Sequence, residues 1–397
     1  MNQRVPEHNE QNLVVIARRY WPYCDDASLR LMHWLDHLQN AGIRSTVLTS
    51  RWHPSWPDEF ELRGVRIHRL QPAANTNWNE SHFQRNVLQW LQSHLDRIGW
   101  IYVDRIDPLA SVLLSKSNRL DRPILLRAGL SDSPVGLAPA VRSPLPMQID
   151  IANRAKTVVV PSASVHRWMI QHGVASQTMV RIDDFIPPPT RRSPELRKET
   201  LHALAKINSD FLLPDSTPLV LHLGHCQIST LQATLQAMCD LLDSGAMFRT
   251  WIINPGLPYD QLYEFIRDRG WHRELLLFDS FDDVDSLLQV ADLVWFSNPE
   301  EALQFTLPAT VSSCIPCLIR EHPDLEPLFG LGIHDCVYDS PTSLALQLHR
   351  WYAQPRALAH AIETLQTELH SRHPTTQLLK QWLLVLENSR GTNGHEN

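Results

Sequence analysis

The sequence predicts two doubly wound α/β domains in series, each a parallel sheet covered by helices on both faces. Short continuous apolar runs such as Leu13-Val14-Val15-Ile16-Ala17 have the composition of strands buried on both sides. These runs alternate with stretches of helical period, the order that builds parallel sheets through crossover helices. At 397 residues the chain is too long for one ordinary core, and Pro187-Pro188-Pro189 interrupts regular structure near its middle.

Taken in order, the strand at residues 13–17 leads through Tyr20-Trp21-Pro22 to a helix over 27–39, with Leu31, Leu35 and Leu38 on one stripe and Gly42 as its left-handed cap. Residues 44–49 and 65–70 read as strands. Phe83, Val87, Trp90, Leu91, Leu95 and Ile98 mark an amphipathic helix whose apolar stripe suits a core better than a membrane surface. Strands at 100–103, 123–126 and 158–160 and helices at 109–117 and up to His172-Gly173 complete the first half. A proline-rich loop is expected over 131–146.

The second half restarts at Ser193-Pro194-Glu195, a serine cap followed by proline at the first helical position. Strands are expected at 218–223, 249–254, 275–278, 293–296, 317–320 and 333–338, with helices at 231–242, 259–269 and 283–290. Three helices, near 341–352, 355–371 and 376–387, close the chain. The expected domains are residues 1–187 and 188–373, with 374–397 forming a last helix and polar tail.

Bulk properties exclude several classes. A formal charge of −7 gives no reason to expect nucleic-acid binding. The first twelve residues are polar and lack the apolar core of a signal peptide, and no apolar run reaches the roughly 18 residues of a membrane span. Membrane contact is therefore expected to be peripheral at most. Six scattered cysteines make no disulfide framework, so a reduced, cytoplasmic protein is the simplest expectation. Cys314-Ile315-Pro316-Cys317 has no second Cys-x-x-C, and neither a metal nor a cofactor is expected. The absence of Gly-x-Gly-x-x-Gly and P-loop motifs disfavours nicotinamide enzymes and nucleoside triphosphatases.

Residues 295–316 carry the densest signal for a site. A buried strand, a turn at Asn298-Pro299, a short loop and a helix closed by Pro316 place Glu301 just beyond a strand's carboxyl end, where open parallel sheets hold ligands. The helix start beside it would favour a phosphate.

Several segments together resemble the family-4 (group 1) glycosyltransferases: Ala17-Arg18-Arg19-Tyr20-Trp21-Pro22; Val158-Val159-Val160-Pro161-Ser162; Ile182-Asp183-Asp184-Phe185-Ile186-Pro187; Leu221-His222-Leu223-Gly224; and residues 297–316. The resemblance covers most of the chain. It implies a GT-B fold, two Rossmann-like domains facing across a cleft, with the acceptor mainly on the first domain and a nucleotide-sugar donor mainly on the second. It also implies sugar transfer to a glycan or lipid acceptor with retention and without a metal, and a last helix that crosses back onto the first domain. Surface-polysaccharide or glycolipid synthesis is the pathway the family suggests.

By the same resemblance, Gly224 opens the second domain's donor site, and His225 and Thr230 stand where the family has Arg and Lys on the diphosphate. Each charged hydrogen bond contributes roughly 1.5–3 kcal/mol, so losing two would cost on the order of 10²–10⁴ in affinity or rate. His225 can recover part of this when protonated; Thr230 cannot. Glu301, with Glu300 as the alternative register, fills the position of the donor-sugar glutamate. Ala302-Leu303-Gln304 replaces a glycine-rich loop, and Ala309 replaces the ribose-binding glutamate. Asp25-Asp26 replaces the family's Gly-Gly turn; the pair is a good helix start and a poor phosphate cradle. Arg18, Arg19 and Arg127 sit at strand ends toward the cleft, as substrate contacts or as surface charge. Glu301 reads either as a donor-sugar contact or as a helix-entry acid, and His225 either as a diphosphate ligand or as a polar loop residue. Two functions follow: a nucleotide-sugar glycosyltransferase, or a catalytically deficient homologue that binds a glycan or a protein partner.

Overall fold

The computed structural model describes residues 12–22, 25–70, 80–129, 145–214, 216–223, 228–253, 259–278, 283–299 and 302–391, with only the backbone described at 228–231, 259 and 391. The first sheet contains β1 (Asn12–Ile16), β2 (Ser45–Thr49), β3 (Glu59–Leu62), β4 (Val65–Arg69), β5 (Ile98–Val103), β6 (Ile124–Arg127), β7 (Thr157–Val160) and β8 (Met179–Arg181). Their order is β3-β4-β2-β1-β5-β6-β7-β8, parallel except for the antiparallel β3–β4 pair. The second sheet contains β9 (Leu219–Leu223), β10 (Arg249–Ile253), β11 (Leu275–Phe278), β12 (Leu293–Phe296), β13 (Cys317–Arg320) and β14 (Val337–Tyr338), in the order β11-β10-β9-β12-β13-β14. The β9, β12 and β13 pairings are parallel. The expected α/β class with two parallel-sheet domains is therefore present.

Three local differences from the sequence reading have physical causes. The β3–β4 hairpin was not expected; it turns on Arg63 and Gly64 at φ +50° and +77°, the pair of positive φ values that a tight two-residue hairpin requires. The strand expected at 333–338 is a 3₁₀ segment, Leu331–Cys336, followed by the two-residue β14. Ile333 and Cys336 are both fully buried, and a three-residue spacing puts them on one side of a 3₁₀ turn. A helix, Leu145–Arg154, begins inside the expected loop and buries Ile151 and Ala152; residues 130–144 of that loop lie outside the described set.

Each sheet reverses its winding at one strand. β1 pairs with β2 on one side and β5 on the other, and β9 pairs with β10 and β12. Crevices at the carboxyl ends of such strands are where open sheets bind ligands. The chain leaving β1 enters the Asp26–Asn40 helix, and the chain leaving β12 enters the Thr306–Ser312 helix.

The two domains share buried surface. Leu29, on the Asp26–Asn40 helix, packs into the second domain's core together with Ile186. The last helix, Thr375–Gly391, lays Leu378, Trp382, Val385 and Leu386 against the first domain beside Trp34, Tyr102 and Leu31.

Candidate functional site

The two adjacent acids at the start of the first helix do different things. Asp25, in extended conformation, is the helix's own cap and accepts the Ser28 N–H at 2.9 Å. Arg19 lies 3.4 Å from the same carboxylate. Asp26 is buried and points away from its helix, toward the second domain.

There it meets the loop between β12 and the Thr306–Ser312 helix. The Gln304 N–H donates to Asp26 Oδ2 at 2.7 Å, the Phe305 N–H is shared between the two oxygens at 3.1 and 3.2 Å, and the Thr306 N–H donates to Oδ1 at 2.6 Å. The Thr306 hydroxyl adds a fourth donor at 2.7 Å. No side chain of its own caps the Thr306–Ser312 helix. A carboxylate from the other domain satisfies the backbone donors that a cap would. Burial pushes the Asp26 carboxyl up to about 6; the Thr306 and Gln304 donors pull the other way and the nearby Asp25 charge adds to the rise.

Gln304 extends the contact. Its Oε1 accepts from Arg127 Nη1 at 3.1 Å, while Arg127 Nη2 pairs with Asp184 at 2.6 Å. Arg127 is thus buried between β6, the interdomain segment and the second-domain loop. Close by, Arg30 pairs with Asp104, which also accepts the Tyr102 hydroxyl at 3.2 Å. His33 and His37, one turn apart on the Asp26–Asn40 helix, approach at 3.2 Å between ring nitrogens, and His33 Nε2 lies 3.3 Å from the Ile186 carbonyl. Phe185 stacks on His37, and Phe305 presents an edge to His33.

The other predicted residues fall into three groups. Arg18 faces its own domain, pairing with Glu80 and Asp107 at 2.9 and 3.0 Å. Ala302, Leu303 and Ala309 are buried among the second domain's apolar side chains, and the Ala309 N–H donates to the Phe305 carbonyl. Gly224, His225, Glu300 and Glu301 lie outside the described residues, as does the side chain of Thr230, whose backbone belongs to the Ile228–Asp243 helix.

Two polar pairs were not singled out from the sequence. His222 on β9 lies 2.8 Å from the Ser297 hydroxyl, joining the ends of the two neighbouring strands in the buried interior. His373, entering the last helix, lies 3.4 Å from Asp183 and 3.1 Å from the Leu328 carbonyl. The signal for Asp183 and Asp184 was present in the segment approaching the linker; their partners, His373 and Arg127, are distant in sequence. Between Asp184, Leu303, Gln304, Pro308 and His373 a cavity of about 30 Å³ remains, room for one or two water molecules.

Among the described residues, no three His, Cys, Asp or Glu side chains are arranged to hold a metal ion. Cys317 is buried in β13, and Cys314 ends the Thr306–Ser312 helix at φ +53°, a left-handed position usually given to glycine. No described helix is long and apolar enough to cross a membrane.

No protein-family model and no curated protein matches the chain in sequence. In three dimensions it is similar to HepE from Anabaena in complex with UDP and glucose, with a TM-score of 0.67 and 14% identity over 95% of this chain and 99% of that one. It is similar to sucrose-phosphate synthase from Thermosynechococcus elongatus, with a TM-score of 0.69 and 13% identity over 95% and 98%. For WaaG, a glycosyltransferase involved in lipopolysaccharide biosynthesis, the TM-score is 0.61 and the identity 11% over 94% and 99%. The fold is GT-B.

Proposed function

We propose that this chain is a glycosyltransferase of the family-4 kind that takes a nucleoside diphosphate sugar as donor. The bond from the anomeric carbon to the diphosphate breaks, a bond from that carbon to a hydroxyl of a glycan or lipid acceptor forms, and configuration is retained. The observation that carries this reading is the extent of the fold likeness. It runs over 95% of the chain and 99% of a HepE structure holding UDP and glucose. In that reading residues 1–187 form the acceptor side, 188–373 the donor side, and 374–397 the crossing helix and tail. Glu301 contacts the donor sugar, and Gly224, His225 and Thr230 lie along the diphosphate. A cytoplasmic location and a place in surface-polysaccharide or glycolipid synthesis belong to the same reading.

A second reading, a catalytically deficient homologue that binds a glycan or a partner protein, is favoured by two observations. The N–H groups of Gln304, Phe305 and Thr306 are taken by Asp26, and Ala309 brings no carboxylate. Calorimetric titration with UDP, ADP, GDP and their common sugar conjugates separates the two. A Kd below roughly 10 μM for any of them, in the wild type or in Asp26→Ala, supports the transferase. Silence across the panel in both proteins removes it and leaves the binding protein.

A further inference from the structure

We propose that Asp26 is an autoinhibitory clasp: its carboxylate occupies the donors of residues 304–306, holds the cleft between the two domains shut, and must leave before an anionic ligand can reach them. The closure rests on the geometry alone; only the identity of the excluded ligand rests on the donor reading above.

Three features support a clasp over an ordinary buried contact. The contact joins the segments that leave β1 and β12, beside the reversal of strand order in each sheet, so it closes the crevice of one domain onto that of the other. The carboxylate receives four donors, all from the other domain, across 278–280 residues of chain. On the far side of Gln304, the cavity lined by Asp184, Leu303, Pro308 and His373 holds about 30 Å³, below the roughly 300 Å³ of small-molecule sites, so the described residues behind the contact leave no ligand-sized space there.

The charged neighbours define how the clasp responds to pH. On its own helix Asp26 faces Asp25, which is held by Arg19 and the Ser28 N–H. The loop segment 302–306 (Ala-Leu-Gln-Phe-Thr) contributes no titratable side chain. From β6 comes Arg127, engaged with Gln304 and Asp184; one turn along the helix is Arg30, engaged with Asp104. Glu300 and Glu301 lie outside the described residues. Burial raises the Asp26 carboxyl from 3.8 to about 6, so the closed form binds a proton more tightly than an open form with a solvated Asp26. Acid therefore tightens the clasp. Raising the pH from 4 through 6 loosens it, by at most about 100-fold in the closed-to-open ratio.

The test is amide hydrogen exchange on the full chain, read at Gln304, Phe305 and Thr306, beside UDP titration. Asp26→Ala should speed exchange at these three amides at least tenfold while strand amides in β1 and β9 stay protected. It should also raise affinity for UDP at least tenfold over wild type. Unchanged exchange in a folded Asp26→Ala protein overturns the clasp, and equal UDP affinity in the two proteins overturns the autoinhibition. Faster exchange with no UDP binding in either protein keeps the closure and rejects the donor reading. Where Asp26→Ala fails to fold, Asp26→Asn serves. It should abolish the pH dependence of exchange at the three amides beyond intrinsic chemistry, and a dependence equal to wild type overturns the proposal.

Discussion

The two domains meet along two seams, one mainly apolar and one that adds a chain of polar contacts to its apolar burial. At one, the last helix packs Trp382 against Trp34 and Tyr102 with ring centroids 4.8 and 5.9 Å apart, while Trp100 donates to the Leu386 carbonyl at 2.7 Å and Arg390 lies over its ring. At the other, Asp26, Gln304, Arg127 and Asp184 form a chain of directed polar contacts. Apolar burial is nearly non-directional and tolerates small shifts, whereas a charge-assisted hydrogen bond is lost over a few tenths of an ångström. The apolar seam thus keeps the domains together, and the polar seam sets how closely they approach. A GT-B protein needs both properties if its cleft is to open without the domains parting.

The largest effect should fall on the apolar seam. Trp382→Ala removes a nearly buried indole from an aromatic cluster and should cost about 3–5 kcal/mol, seen as a lower denaturant midpoint. A loss under about 1 kcal/mol would show that the crossing helix is not a structural tie. Next comes Arg127→Met, which strands Asp184 and the Gln304 carbonyl oxygen. Breaking a fully buried pair costs 3–5 kcal/mol; because the Asp184 side chain is 20% exposed, about 2 kcal/mol is expected here. Adding Asp184→Leu should recover at least half of that loss. If the double variant is no better than the single, the pair is not coupled and the polar seam has a different organisation.

Ala309→Glu should be of comparable size and is informative about ancestry. The resemblance suggests that a glutamate here would restore a ribose contact. The structure puts Ala309 in the second domain's core, its backbone N–H within the helix turn. A longer acidic side chain there overpacks the site and also desolvates a carboxyl group, and is expected to cost at least about 1–3 kcal/mol. Should the variant instead keep its stability and gain nucleotide affinity, the helix can turn that position toward the cleft.

The parallel sheets were legible because strands buried on both faces announce themselves as continuous apolar runs, as at β1, β7 and β12. The β3–β4 hairpin was not, since Glu59-Phe60-Glu61-Leu62 has one half-covered apolar side and its turn rests on the unusual φ of Arg63. Asp25 was readable as a helix cap because capping is local. Asp26 was readable only as a neighbouring acid: its partners lie some 280 residues away and, apart from the Thr306 hydroxyl, are backbone groups, which leave no trace in residue identity. Conversely, Ala302, Leu303 and Ala309 could be recognised as departures from a donor-site pattern, but not as core residues, because their apolar surroundings are assembled by the fold.

The most delicate prediction separates a buried carboxyl and a half-buried imidazole at the polar seam that respond to acid in opposite directions. Burial, reinforced by the neighbouring His37, holds His33 neutral down to about 4. Between roughly pH 6.5 and 4 the unfolded chain therefore binds more protons at this position, and stability falls as pH drops. Asp26 is raised to about 6, so between roughly pH 6 and 4 the folded chain binds more protons there, and stability increases as pH drops. The two slopes oppose each other over nearly the same window. Relative to wild type, Asp26→Asn should lose stability more steeply on acidification from pH 6 to 4.5, and His33→Gln less steeply. Urea midpoints across that range measure both differences. Parallel profiles for all three proteins would mean that neither group titrates at the seam. A shallower profile for Asp26→Asn would mean that its four donors outweigh burial and hold the carboxylate charged, so that acid opens the cleft.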